Sequence, residues 1–170
     1  MFNILGPWHF RNKKNEGKRI YLDYAAATPV RREVFDAMRP YFRETFANPS
    51  AIHEEGRIVG LAVARARATI AKLLAARPEE VTFTSGGTEA NNLALFGVVD
   101  AAVAGGRQAG NIEIISTAVE HPSILEALEA LKERGVTVRF APVDSEGLID
   151  LKKLTALFSP KTLLVTFAYV

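Results

Sequence analysis

The stretch Thr84-Ser85-Gly86-Gly87-Thr88-Glu89-Ala90-Asn91-Asn92 carries the strongest chemical signal in the 170 residues. It stands between a short β-type run and a helical one, and its two consecutive glycines let backbone come close to an oxyanion. A helix starting there offers unpaired N–H groups and the positive end of its dipole, and Ser85 and Thr88 add hydroxyls, so phosphate is a natural guest. The same residues also read as an ordinary strand-to-helix turn with a Ser or Thr cap. Neither G-x-G-x-x-G nor G-x-x-x-x-G-K-[ST] occurs, which argues against a nucleotide. His121 follows a second β-type run, at the same expected sheet edge as Gly86 and Gly87. Two readings of it stand side by side. Its ring faces the same ligand, by stacking or by exchanging a proton near neutral pH, or Glu120-His121-Pro122 merely starts a helix with Ser123 in its first turn. His53, near Asn48-Pro49-Ser50, reads as a loop residue. The three histidines are scattered and lack paired carboxylates, so no metal site is expected, and no nucleophile elbow is present.

These residues need elements to position them. From Ile20 onward helical and strand periods alternate with short connections, the pattern of an α/β fold with a mostly parallel sheet flanked by helices. Thr28-Pro29 predicts a helix start, with Val34, Met38, Tyr41 and Phe42 on one face. A longer helix is expected over 56–76, its outer Arg57, Arg65, Arg67 and Lys72 forming a solvated face. Strands are expected over 81–84, 112–116, 136–140 and 163–170, and helices over 88–104, 123–134 and 151–158. Residues 1–19 read as an extended arm and 20–170 as the N-terminal portion of one domain. Ligands of open parallel sheets sit beyond the carboxyl ends of the strands, where both Gly87 and His121 fall.

Composition narrows the function classes. Twenty-one Lys and Arg against 19 Asp and Glu leave a net charge of +2, too little to argue for nucleic acid or an anionic membrane as partner. There is no cysteine, which removes thiol chemistry and disulfides from these residues and fits a reducing compartment, with the cytoplasm the default. No apolar run approaches the roughly 20 residues of a membrane span.

Taken in order, the motifs resemble those of the cysteine desulfurases, a group of class V aminotransferase-like enzymes that depend on pyridoxal 5′-phosphate. Tyr21-Leu22-Asp23-Tyr24-Ala25-Ala26-Ala27-Thr28-Pro29-Val30 resembles the family's opening segment, departing at Ala27, where a second Thr is common. Asn48-Pro49-Ser50 with His53, Ser85 through Asn92, and Glu120-His121 with Ser123 resemble the later signatures. The resemblance implies a pyridoxal-phosphate transferase fold in which Gly87 and Thr88 bind the cofactor, Ser85 and Gly86 shape its phosphate loop, and His121 stacks on its ring and moves protons. Thr28, Asn48 and His53 are implied near the substrate. It also implies a homodimeric enzyme that takes sulfur from L-cysteine, leaves L-alanine, and passes the sulfur to an acceptor or scaffold protein for iron-sulfur clusters or thiolated products. A selenocysteine lyase or another enzyme of the same fold is the neighbouring alternative, and a non-catalytic module or half of a split enzyme is the alternative from another class. In the family the Schiff-base lysine, the partner of the pyridinium nitrogen and the reactive cysteine lie downstream of Val170, and none of the eight lysines here matches the lysine motif. The apolar run 163–170 reaches the last residue. The expectation is therefore a fragment that is inactive and aggregation-prone by itself.

Overall fold

The structure is a computed structural model that describes residues 20–168. The expected arm over 1–19 and the last two residues of the expected strand over 163–170 lie outside them. The chain divides into two compact units, with the boundary between Val81 and Thr82.

The first unit is helical. Thr28 and Pro29 do not open a helix: α1 is Arg32–Met38, and its N-cap, Arg31, makes no side-chain cap. The chain stays non-helical through Arg31, at φ −62° and ψ 144°, so the helix begins three residues later than the Thr-Pro signal places it. The single helix expected here is broken at Pro40, which lacks an N–H, so α2 is the short Pro40–Arg43. The expected apolar face lies open, with Val34, Met38, Tyr41 and Phe42 all exposed. Helix α3, Glu54–Leu73, begins at a His53 cap and ends three residues short of the expected Ala76. The reason is a closed C-terminal turn. Ala76 N–H bonds to Ala71 C=O at 2.9 Å and Ala75 N–H to Lys72 C=O at 3.3 Å, with Ala75 at φ 52°. A 3-10 turn at Pro78–Glu80 follows. On the outer face of α3, Arg57 pairs with Glu54, and Arg67 donates to the Val81 carbonyl at 3.2 Å.

The second unit holds the sheet. Residues 81–84, expected as a strand, belong to no strand of the described sheet. Helix α4 is Gly87–Ala104, strand β1 Glu113–Thr117, helix α5 Pro122–Glu133, strand β2 Thr137–Ala141, helix α6 Leu151–Leu157 and strand β3 Thr162–Val165. The strands are parallel in the order β2-β1-β3. β1 is therefore central, and all five of its residues are buried. Alternation along it sends Ile114 toward a core with Leu95 and Val99 of α4 and Ile124, Leu128 and Leu131 of α5. Ile115 points the other way, to Ala141 and Leu154 of α6. The spacing of Ile124, Ala127, Leu128 and Leu131 gives α5 one continuous buried stripe. Each such large side chain contributes about 1.5–3 kcal/mol by leaving water.

Glu113 is a buried carboxylate in this central strand. Arg139 of β2 meets one oxygen at 2.7 Å, while Ser159 and Thr162 hydroxyls donate to the other at 3.0 and 2.7 Å. The charge is thereby both paired and hydrogen-bonded, the condition under which a buried carboxylate is tolerated.

Candidate active site

The second unit brings two helix starts together at the carboxyl edge of β1. Helix α5 begins five residues after Thr117, and Asn91, the fifth residue of α4, donates to Ser123 Oγ in the first turn of α5 at 2.9 Å. The Gly86–Thr88 loop and His121 thus belong to adjoining helix N-termini.

Gly86 caps α4 in an extended conformation, and no side chain occupies the cap. The N–H groups of Gly87, Thr88 and Glu89 have no acceptor among the described residues, as the opening of a helix requires. A Cβ added at Gly86 or Gly87 would meet nothing within 4 Å, and neither residue has a backbone that only glycine favours. Among the described residues nothing packs against either position. The effect of the two glycines is to keep the space before three free N–H donors and the positive end of an 18-residue helix clear, which fits a phosphate group. Glu89 stands at the rim. Its carboxylate accepts from the Ser85 hydroxyl and the Ser85 N–H, both at 2.6 Å, and these two bonds hold its pKa below the usual carboxylate value. Ser85 is thus fixed to the helix it precedes, and the Thr84 hydroxyl donates to Gly86 C=O at 3.2 Å.

His121 caps α5. Its Nδ1 lies 3.1 Å from the Ser123 N–H and 2.8 Å from Ser123 Oγ. The helix-start reading is therefore realised in the geometry, and it leaves Nε2 with no hydrogen-bond partner among the described residues. Next to it, Glu120 accepts from the Thr117 hydroxyl at 2.5 Å and from Ala168 N–H at 2.9 Å, fastening the turn after β1. A cavity of about 460 Å³ opens by this turn, lined by Thr117, Glu120, Gly147, Ile149 and Phe167 among others; neither the Gly86–Thr88 loop nor His121 lines it.

The other implied residues lie in the first unit. Asn48 and His53 share a cleft of about 620 Å³ with Glu44, Phe46 and Glu55, whereas Thr28 is an exposed residue of the extended segment before α1. Asn48 Oδ1 accepts from Ser50 N–H at 2.9 Å. His53 Nδ1 is 3.3 Å from Gly56 N–H, which it can only accept, and 3.0 Å from Glu55 Oε2, to which it can only donate. These two bonds exclude each other for one nitrogen. Glu55 itself is held below its usual pKa, first by its own backbone N–H and then by His53. Among the described residues no cluster of three or more His, Asp or Glu could hold a metal, and no helix is long and apolar enough to cross a membrane.

Sequence reasoning did not assign roles to Glu89, Asn91 or Ser123. The only available signal for Glu89 was its spacing four residues after Ser85; Asn91 and Ser123 are 32 residues apart and leave no periodic trace.

Comparison with known proteins places the chain in a family. The aminotransferase class-V family model matches residues 20–170. The chain is 41% identical over 152 residues to the cysteine desulfurase IscS of Dictyoglomus turgidum, covering 89% of this chain and 37% of that protein. It is 38% identical over 164 residues to the mitochondrial cysteine desulfurase of Drosophila melanogaster, covering 96% and 34%. Among solved structures, SspA in complex with cysteine matches with a TM-score of 0.79 at 35% identity, over 88% of this chain and 42% of that one. A C-DES mutant with glycine covalently linked to its PLP cofactor matches with a TM-score of 0.60 at 28% identity, over 79% and 33%. The chain thus spans little more than a third of the length of the curated relatives it matches. With this fold and this sequence match, the chain belongs to the class V aminotransferase family.

Proposed function

We propose that residues 20–170 are the N-terminal portion of the cofactor-binding domain of a PLP-dependent cysteine desulfurase. The observation that carries this reading is the start of α4, where Gly86 and Gly87 keep open a space that the fold does not fill and three backbone N–H groups face it. Gly87, Thr88 and Glu89 N–H, with the Thr88 hydroxyl, bind the cofactor phosphate. Ser85 and Gly86 shape the loop, Ser85 through its two bonds to Glu89. His121 lies against the cofactor ring, with its Nε2 edge available to the ligand. Thr28, Asn48 and His53 are substrate-vicinity residues on the strength of the motif resemblance. When bound, the cofactor supplies an electron sink for breaking bonds next to the substrate's amino-bearing carbon.

The substrate on this reading is L-cysteine, and the sulfur passes to an acceptor or scaffold protein for iron-sulfur cluster assembly or thiolation, leaving L-alanine. The enzyme is a cytoplasmic homodimer. The receiving thiol is not among these 170 residues, which contain no cysteine. Three of the described lysines have other partners: Lys132 bonds Glu129, Lys153 pairs with Asp150, and Lys161 donates to Gly110 C=O.

Titration of the chain with PLP and with pyridoxal, which lacks the phosphate, tests the reading. PLP is expected to bind more tightly than pyridoxal. Gly87→Ala, whose Cβ would enter the phosphate space, and Thr88→Ala, which removes one charge-assisted hydroxyl donor, are each expected to weaken PLP about tenfold with an unchanged circular dichroism spectrum. Equal affinity for the two compounds, or full PLP affinity in Gly87→Ala, would overturn it.

A further inference from the structure

We infer that Asn91 and Ser123 are positioning residues that hold neutral His121 with its proton on Nε2, so that this histidine meets its ligand as a hydrogen-bond donor and not as a base. The inference rests on the functional reading above for the identity of the ligand, but its geometry stands on the chain alone.

The direction of the hydrogen bonds fixes the tautomer. A backbone N–H has no lone pair to offer, so the contact at 3.1 Å between Ser123 N and His121 Nδ1 has one polarity, with Nδ1 accepting. The Ser123 hydroxyl approaches the same nitrogen at 2.8 Å. A hydroxyl can donate or accept, but Nδ1, already accepting from the N–H, carries no proton, so the hydroxyl donates to it, while Asn91 Nδ2 donates to Ser123 Oγ at 2.9 Å and holds that oxygen in place. Both donors then point at one bare nitrogen. If Nδ1 carried the proton instead, it would face the N–H of Ser123, a buried residue, and that donor would lose its acceptor. The neutral ring consequently carries its proton on Nε2, the edge with no partner among the described residues. The lone pair needed to take a proton lies on the far side of the ring, already occupied. Asn91 belongs to the helix whose first turn holds the phosphate loop, so the same helix that orients the loop orients the histidine.

Long-range proton–nitrogen correlation spectra of the ¹⁵N-histidine-labelled 170-residue chain, at alkaline pH where the ring is neutral, read the tautomer without any ligand. The expected result is a protonated Nε2 and a hydrogen-bonded, unprotonated Nδ1. Ser123→Ala and Asn91→Ala are expected to move the Nδ1 resonance toward the position of an unbonded ring nitrogen, and Ser123→Thr to restore it. Protonated Nδ1 in the parent chain, or an Nδ1 resonance indifferent to Ser123→Ala, would overturn the inference. Addition of PLP separates this from the functional reading. If the Gly87 and Thr88 amide resonances do not respond, the proposed function fails while the tautomer result stands. If those amides respond and His121 Nε2–H does not, the donor role fails. With both responding, Ser123→Ala is expected to weaken PLP about fivefold and Ser123→Thr to stay within about twofold, the scale of one neutral hydrogen bond.

Discussion

The two units of this chain are built from similar helices but finish them differently. In the second unit α4 and α5 pack on a central strand with every residue buried, and Leu95, Ile114, Leu128 and Leu131 are nearly inaccessible. In the first, Gly56 and Ala71 are the only buried residues among those described, and large side chains such as Phe42, Leu73 and Leu74 lie open. The contrast recurs at the helix ends. α5 closes with Gly135 at φ 89°, where Val136 N–H bonds to Leu131 C=O and Gly135 N–H to Lys132 C=O. α3 closes with the same pair of bonds around Ala75 at φ 52°. A left-handed position costs little for glycine and about 1–2 kcal/mol for alanine. The second unit therefore has both the packing and the backbone chemistry of a self-supporting core, and the first has the periodicity of a core helix without the burial.

Core truncation should separate the units most strongly. Leu128→Ala is expected to destabilise by about 2–5 kcal/mol, whereas Leu73→Ala, at 81% exposure, should stay within about 0.5 kcal/mol in urea or thermal unfolding. Comparable losses at the two sites would erase the distinction. A smaller effect with opposite signs is expected at the helix ends: Gly135→Ala should destabilise by about 1 kcal/mol, and Ala75→Gly should stabilise by up to about 1 kcal/mol. Thermal melts of the two variants would sharpen the comparison, since a loss from Ala75→Gly would mean that Ala75 serves a purpose other than ending α3. The smallest effect concerns Glu89. Its carboxyl is held below the usual value by the Ser85 hydroxyl and N–H, so its contribution is present above the unfolded carboxylate pKa and is lost as pH falls through the folded one. Glu89→Gln should therefore melt lower than the parent at neutral pH, and the gap should close in strong acid. A gap that is constant across that range would show that the carboxylate charge is irrelevant to the loop.

Legibility from sequence followed the range of the forces involved. The sequence pattern placed α4, β1, α5, β2 and α6 to within a residue or two, most directly at α5, whose buried Ile124, Ala127, Leu128 and Leu131 recur at helical spacing. It failed over 81–84, where β-type residues find no neighbouring strand among those described, and at Pro40, whose missing N–H outweighed the apolar spacing across it. The glycine pair was visible as a motif, and the structure adds what the sequence could not, that no described residue fills the space at either Cβ position. For His121 the sequence left a choice between cap and ligand contact. The choice dissolves once its two nitrogens are treated separately, since Nδ1 caps the helix and Nε2 stays available.

Glu113 has a consequence for how the strands find their alignment. Alternating apolar residues forbid a slip by one position, which would turn every side chain to the wrong face, but they are indifferent to a slip by two. The buried carboxylate is not indifferent. A two-residue slip of β2 that set Arg139 opposite Thr117 would take the cation away from it, and a two-residue slip of β3 would take Thr162 from its place opposite Glu113, leaving the buried charge without one of its partners. One acidic residue in the middle strand thereby acts as a registration mark for β3 and, in one direction, for β2, against mispairings that hydrophobicity alone would accept.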